Sequence, residues 1–394
     1  MIAIRAACAL TPLRAIRPAH ILIEHGWIAA IGLPSQVPIP AHADVVTVEN
    51  LTVVPGFVDT HTHGRDGVYF GEDVASTLGV CRSVVATGVT SLLPTLAALR
   101  PVRESLTEIL AQISRVRQAM QVDNDGAEIL GIHLEGPYLS SEDPVKGSQR
   151  VENLRRPSPD ELLRMADVAE GHIRKMSIAP ELDGALALIG TMSRLGIVAC
   201  AAHSAASYEE TIAAVDVGLR CGAHVFNGMP PLHHRRPGLL GAILTDDRIQ
   251  AELIADGQHV SAPAIQVLLR CKGVEGVHLV TDNTLWAGRP NGQYPDDGRT
   301  IVKEDNRVYV AGGTLIGSVA PMNLCVRTMA RLPGCSLAEA VQMASLNPAR
   351  LIGVSDRKGS LEPGHDADLV VIDEEVTVHR VMARGRWMQI HAES

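Results

Sequence analysis

Aromatic side chains are scarce in this 394-residue chain, which has three Phe, three Trp and five Tyr. So thin a set argues against base-stacking platforms or an aromatic-lined groove as the main theme. Positive charge is also in deficit. With 35 Lys and Arg against 44 Asp and Glu, the net charge is −9, the wrong sign for a protein that holds nucleic acid by neutralising phosphates. No 18 apolar residues run without a charge, and Arg5 and Arg14 interrupt the stretch that an export signal would need. Neither a membrane nor a nucleic-acid partner is expected, and the compartment expected is the cytoplasm. The seven cysteines, at 8, 81, 200, 221, 271, 325 and 335, form no C-x-x-C pair. An odd, dispersed set reads as reduced and mostly buried thiols rather than a disulfide framework.

What the chain does have is apolar material, at 46%, and sixteen histidines. Its length allows several domains, or one large domain with a small one. Residues 2–54 alternate in short bursts such as HILIEHGWIAAIG, broken by Pro and Gly, and the last forty residues do the same. Neither segment can close a core alone, so the two are expected to pair into one small β-sandwich domain, 1–54 with 355–394. From Leu51 onward eight β-branched runs alternate with helical spacing, the barrel being assigned to 55–354: LTVVPGFVDTHTHG, GVTSLLPT, EILGIHLEGP, KMSIAPE, GIVACAAHS, CGAHVFNG, IQAELIADGQH and VHLVTDN. That outline predicts an α/β fold, a (β/α)₈ TIM-type barrel whose strands are buried on both faces. A further unit, LPGCSLAEAVQMASLNPARLIG, reads as a helix capped by Ser336 with Pro348 near its end.

Each run ends in polar, ligand-type residues, and barrel chemistry sits at the C-terminal strand ends. His61 and His63 form an H-x-H pair that an extended segment points to one side, where both can share a metal; exposed loop histidines are the equal alternative. Glu135, at an apolar strand end, must be paired or metal-bound. His133, two residues earlier, reads as a hydrogen-bonded core histidine. His203 and His224 end consecutive strands, and two imidazoles plus a carboxylate make a three-ligand site with an open position. Asp282 ends the eighth run, placed to accept a proton from an activated water and return it to a leaving group; capping a following helix is the alternative. His259 and the basic loop HHRRPG at 233–238 complete the set, the arginines suiting an anionic substrate group or simply solvent.

In this order, from PGFVDTHTHG through HLEGPYLS, AHSAASYEE, HVFNGMPPLHHRRPG, LIADGQHV and LVTDN to GGTLIGS and KGSLEPGHDADLVVID, the chain resembles the N-acetylglucosamine-6-phosphate deacetylases of the amidohydrolase superfamily. The resemblance implies that Glu135, His203 and His224 hold the principal divalent metal, with His61 and His63 holding a second ion that Glu135 bridges. It implies Asp282 as the catalytic acid/base. Ser148, Asn227, Gly228, Arg235 and His259 fall on substrate-contacting positions, Arg235 at the phosphate and in some members across a dimer interface. Leu315, Ile316 and Gly317 fall on the loop that closes over the sugar. The implied reaction is hydrolysis of the N-acetyl group of an amino sugar phosphate, most simply N-acetylglucosamine 6-phosphate, by a homodimer carrying one or two ions, zinc first, with iron, cobalt or manganese also suited to such ligands.

Departures cluster around the substrate: Arg65 and Asp66 after HTHG, Gly228 for a usual Ala, Asn283 after the aspartate, and Gln149 where His is common. They leave N-acetylgalactosamine 6-phosphate or an unphosphorylated sugar as alternatives. A cyclic-amide hydrolase of the same superfamily is the other; those enzymes carry a bridging lysine at the end of the fourth strand, whereas Lys175 is expected here to precede that strand. A scaffold that kept the barrel and lost its metal is disfavoured by the presence of every ligand type.

Overall fold

The computed structural model describes residues 1–12, 14–97 and 105–390; residues 13, 98–104 and 391–394 of the expected division lie outside the described residues. All eight apolar runs contain a barrel strand: β1 Phe57–Thr62, β2 Val89–Ala97, β3 Ile132–Glu135, β4 Ile173–Ile178, β5 Val198–Ala201, β6 Leu219–Gly222, β7 Gln250–Leu253 and β8 Val277–Leu279; the first run is divided at Gly56, its LTVVP belonging to the terminal sheet. Successive strands pair in parallel in that order. Parallel strands need crossovers, and helices such as Pro159–Ala169, capped by Ser158 with Pro at its first turn, supply them. The ring closes just past the strand ends. Asp282 N donates to His61 O at 2.8 Å and His63 N to Asn283 O at 2.7 Å, while buried Asp59 on β1 accepts from Thr281 Oγ1 at 2.6 Å.

The terminal segments join in one eight-stranded sheet, because Leu369–Ile372 lies antiparallel to the end of the long strand Asp44–Pro55, which in turn pairs in parallel with Ile2–Leu10. The sheet curls back on itself, Ile28 N reaching His365 O at 2.9 Å. Alternation divides its faces. Val53, Leu369 and Val371 join Ile4 and Ile21 in the sheet's own core, whereas Val54, Val370 and Ile372 pack with Phe57 and Val89 in the main core. Between Pro55 and β1 stands Gly56, where a Cβ would lie 2.0 Å from Thr90 Oγ1, so only glycine lets the chain pass from sheet to barrel. A buried ion cluster fastens the same junction: Lys358 Nζ lies 2.6 Å from Glu128, Asp366 and Asp368.

Two features differ from expectation. The stretch after Ser336 is two helices, Leu337–Ala344 and Leu346–Leu351; Pro348 has no N–H to return to Ala344, so the ladder breaks between them. After β8 the chain forms an antiparallel three-stranded sheet, Gly292–Asp296, Arg299–Glu304 and Arg307–Val310, whose strands of four to six residues are too short to carry a strong period.

Candidate active site

At the C-terminal mouth, two sets of ligand atoms converge on Glu135. One atom each from His61, His63 and Glu135 lie within 4.8 Å of one another, and so do one each from Glu135, His203 and His224. His203 Nε2 and His224 Nε2 face Glu135 Oε1 at 3.4 and 3.3 Å. His61 Nε2 lies 3.4 Å from Glu135 Oε1 and 3.5 Å from Asp282 Oδ1, and His63 Nε2 lies 3.1 Å from Asp282 Oδ1. All six residues are buried.

The second nitrogen of each ring tells which atom carries hydrogen. His203 Nδ1 sits 2.9 Å from Val145 O and His224 Nδ1 3.1 Å from Asn227 O. Carbonyls only accept, so both Nδ1 atoms donate and both Nε2 atoms present lone pairs to a carboxylate. His61 Nδ1 donates likewise to Glu252 Oε2 at 3.0 Å, and its buried Nε2 has no hydrogen-bond partner. Lone pairs facing carboxylate oxygens repel unless a positive charge stands between them. Burial works against a charge on His61, yet Asp282, Glu252 and Glu135 together hold its pKa well above the usual range; a divalent cation answers the same field. The residues present therefore fit a metal, with Glu135 positioned to belong to both sets.

Backbone geometry is part of this arrangement. His203, His224 and Asp282 have φ of +44°, +30° and +50°, a left-handed region that costs a non-glycine residue roughly 1–3 kcal/mol and persists where the surroundings impose it. Three site residues at three strand ends share this conformation. No helix begins at Asp282, and Thr281 is spent on Asp59, so the capping alternative fails. Burial raises the Asp282 carboxyl, but the His61 charge and the His63 hydrogen bond outweigh it and leave its pKa lowered.

The cavity above these atoms has a volume of about 420 Å³ and is lined by His63, Glu135, His203, His224 and Asp282, and by Ser148, Asn227, Gly228, His259, Leu315 and Gly317. Its size suits a small ligand. A larger cleft of about 870 Å³, with Arg65, Arg82, Lys303 and Arg386 on its walls, contains none of the ligand atoms, so volume alone misplaces the site. His259 Nδ1 is held by Asp256 Oδ2 at 2.7 Å; burial pulls its pKa down, but the Asp256 bond and charge outweigh burial, so the net shift is upward. Gly317 has φ +52°, and a Cβ there would meet Asp282 O at 2.7 Å, which explains a glycine beside the aspartate.

Three expectations change. Ile316 does not line the cavity but is fully buried with Trp286, Ile301 and Val308, because alternation turns it away from Leu315 and Gly317. Arg235 is exposed outside the lining on the loop after β6. Lys175 does not precede β4 but lies within it, fully buried and paired with Glu252. His133 is the core histidine expected, bonded to Thr95 Oγ1 at 3.1 Å and Ser177 Oγ at 2.9 Å. Sequence reasoning marked Gln149 only as a departure. In the fold its Nε2 donates to Glu135 Oε2 at 3.0 Å, and the contact had no signal because it crosses from a loop without a period.

A closed parallel barrel with histidines around a shared carboxylate at its mouth defines a metal-dependent barrel hydrolase. The chain belongs to the Amidohydrolase family, whose profile matches residues 52–388. It is 37% identical over 379 residues to an N-acetylgalactosamine-6-phosphate deacetylase of Escherichia coli O157:H7, covering 94% of this chain and 98% of that one. It is 31% identical to an N-acetylglucosamine-6-phosphate deacetylase of Lysinibacillus sphaericus, over 85% of this chain and 84% of the relative. The crystal structure of N-acetyl-D-glucosamine-6-phosphate deacetylase from Mycobacterium smegmatis superposes with a TM-score of 0.88 at 34% identity, over 99% of this chain and all of that one (100%).

Proposed function

We propose that the protein is a metal-dependent deacetylase that hydrolyses the N-acetyl group of an amino sugar phosphate, N-acetylglucosamine 6-phosphate first, giving glucosamine 6-phosphate and acetate. The observation that carries this reading is the pair of ligand sets sharing Glu135 directly under Asp282, in a chain whose full-length relatives carry the names of amino sugar phosphate deacetylases. Glu135, His203 and His224 would hold one ion and His61, His63 and Glu135 a second, zinc being the first candidate. When bound, such a cation supplies Lewis acidity to the amide carbonyl and acidity to a water molecule.

The chain's own residues do the rest. Asp282, ionised at neutral pH, accepts the proton of the attacking water as the C–O bond forms at the acetyl carbon, then delivers it to the nitrogen as the C–N bond breaks. His259, fixed by Asp256 on the cavity wall, donates to oxygen where negative charge develops. Asn227, Gly228, Ser148, Leu315 and Gly317 surround the sugar. Because Arg235 lies outside the cavity of its own chain, its assignment to the phosphate goes with a homodimer in which the partner subunit completes the site. We assign residues 55–354 to the catalytic barrel and 1–54 with 355–394 to the small domain. Seven unpaired thiols support a cytoplasmic setting.

One observation favours a second substrate: the 37% identity to a galactosamine-type deacetylase. Acetate release from N-acetylglucosamine 6-phosphate, N-acetylgalactosamine 6-phosphate and both unphosphorylated sugars tests the reading. A strong preference for the phosphorylated pair is expected, and the faster epimer names the substrate. Equal rates with and without phosphate would remove the Arg235 role, and no acetate from any of the four would sink the deacetylase.

A further inference from the structure

Beneath the metal ligands the barrel interior is unusually polar. Such interiors are ordinarily filled by layers of branched apolar side chains. Here Lys175 of β4, Glu252 of β7, His278 of β8 and His133 of β3 are all fully buried beside His61 of β1. Lys175 Nζ is bonded to Glu252 Oε1, and the other oxygen, Oε2, accepts from His61 Nδ1 at 3.0 Å. His278 Nε2 stands 3.5 Å from Oε1. A lysine and a glutamate in the buried centre of a barrel are costly to desolvate, and an apolar pair would fill the same space without that cost. Cys200, Cys221 and Glu252 also bring ligand atoms within 4.8 Å, but the Lys175 ammonium already neutralises that carboxylate.

We propose that Lys175 and Glu252 are a positioning pair that makes His61, His63 and Glu135 a cation site in its own right, distinct from the site of Glu135, His203 and His224. Glu252 anchors the Nδ1–H of His61, which leaves the Nε2 lone pair aimed at Glu135 and Asp282, and a carboxylate behind a ligand imidazole orients it and raises its basicity. Lys175 holds the carboxylate in place from below and balances its charge. His203 and His224 take their orientation from backbone carbonyls of Val145 and Asn227 instead, so a change at Glu252 reaches one ion and not the other. His133, packed edge-on to His61 with ring centroids 4.6 Å apart, closes the remaining side.

This inference rests on the metal-hydrolase reading and is tested without substrate. Metal-free wild type, Glu252→Gln and the double variant Lys175→Met/Glu252→Gln are titrated with Zn²⁺ in competition with a chromogenic chelator. The double variant removes both charges together, so it keeps the test readable if the single variant, with Lys175 left unpaired, does not fold. The wild type is expected to bind two ions, and the variants to lose ~10–100-fold in affinity at one of them with the other unchanged. A single ion in the wild type, equal weakening at both sites, or wild-type affinity at both in the folded variants would overturn the proposal. Selective loss of one ion in a protein that releases no acetate would leave it standing and reject the deacetylase instead.

Discussion

Replacing Lys358 by Met should destabilise the protein by about 2–4 kcal/mol while leaving turnover per folded molecule unchanged. The side chain is 1% exposed and meets three carboxylates at 2.6 Å. Removing one partner from a buried ionic cluster costs about 3–5 kcal/mol, and Arg357, which stays paired to Glu128 and Asp366, offsets part of it. The acidity of Glu128 leads to a similar size. Burial raises its carboxyl, but the Arg357 and Lys358 bonds and charges bring the pKa from 4.5 down to about 2. A tenfold change in acid strength is worth about 1.4 kcal/mol, which gives roughly 3 kcal/mol shared between the two cations. Because the folded-state pKa is depressed, this stability is present above about pH 4.5 and is lost as pH falls toward 2. Urea unfolding of both proteins between pH 7 and 3 measures it. The difference should be largest at neutral pH and shrink with acid. A variant within ~0.5 kcal/mol of wild type at pH 7, the scatter of ordinary surface changes, would refute the clamp.

Asp282→Asn should retain metal and lose at least ~10²-fold in turnover, the scale of a missing general acid/base; kinetics beside metal analysis checks both halves, and near-normal turnover rejects the assignment. Glu135→Gln, which removes the carboxylate shared by both ligand sets, should empty the site, and stoichiometric metal in the purified variant would move that role elsewhere.

The barrel was legible because its strands are buried on both faces, so eight apolar runs stand out from helical spacing. The candidate ligands at their ends were legible because His and Glu are conspicuous after such runs. What escaped was set by the third dimension. Glu252 and Lys175 are 77 residues apart and meet only inside the closed ring, so Lys175 read as the approach to a strand rather than its interior. The left-handed backbone at His203, His224 and Asp282 has no glycine to announce it. Ile316 sits between two lining residues, where resemblance suggested a contact that alternation denies. The three-stranded sheet after β8 has strands of only four to six residues, whose few apolar residues, Ile301, Val302, Val308 and Val310, are too short a run beside Gln, Arg, Lys and Asp to stand out as a period.

The shared terminal sheet bears on how the chain is made. The strand ending at Pro55 finds its neighbour at Leu369 only after more than 300 further residues have been added. At typical synthesis speeds of ~5–20 residues per second, that leaves an apolar strand edge unpaired for roughly 15–60 s. During that interval TVVP presents open backbone groups beside Val53 and Val54, the kind of template on which nascent chains aggregate. The order of synthesis therefore makes the small sheet the last sheet of the molecule whose strands are all available to pair.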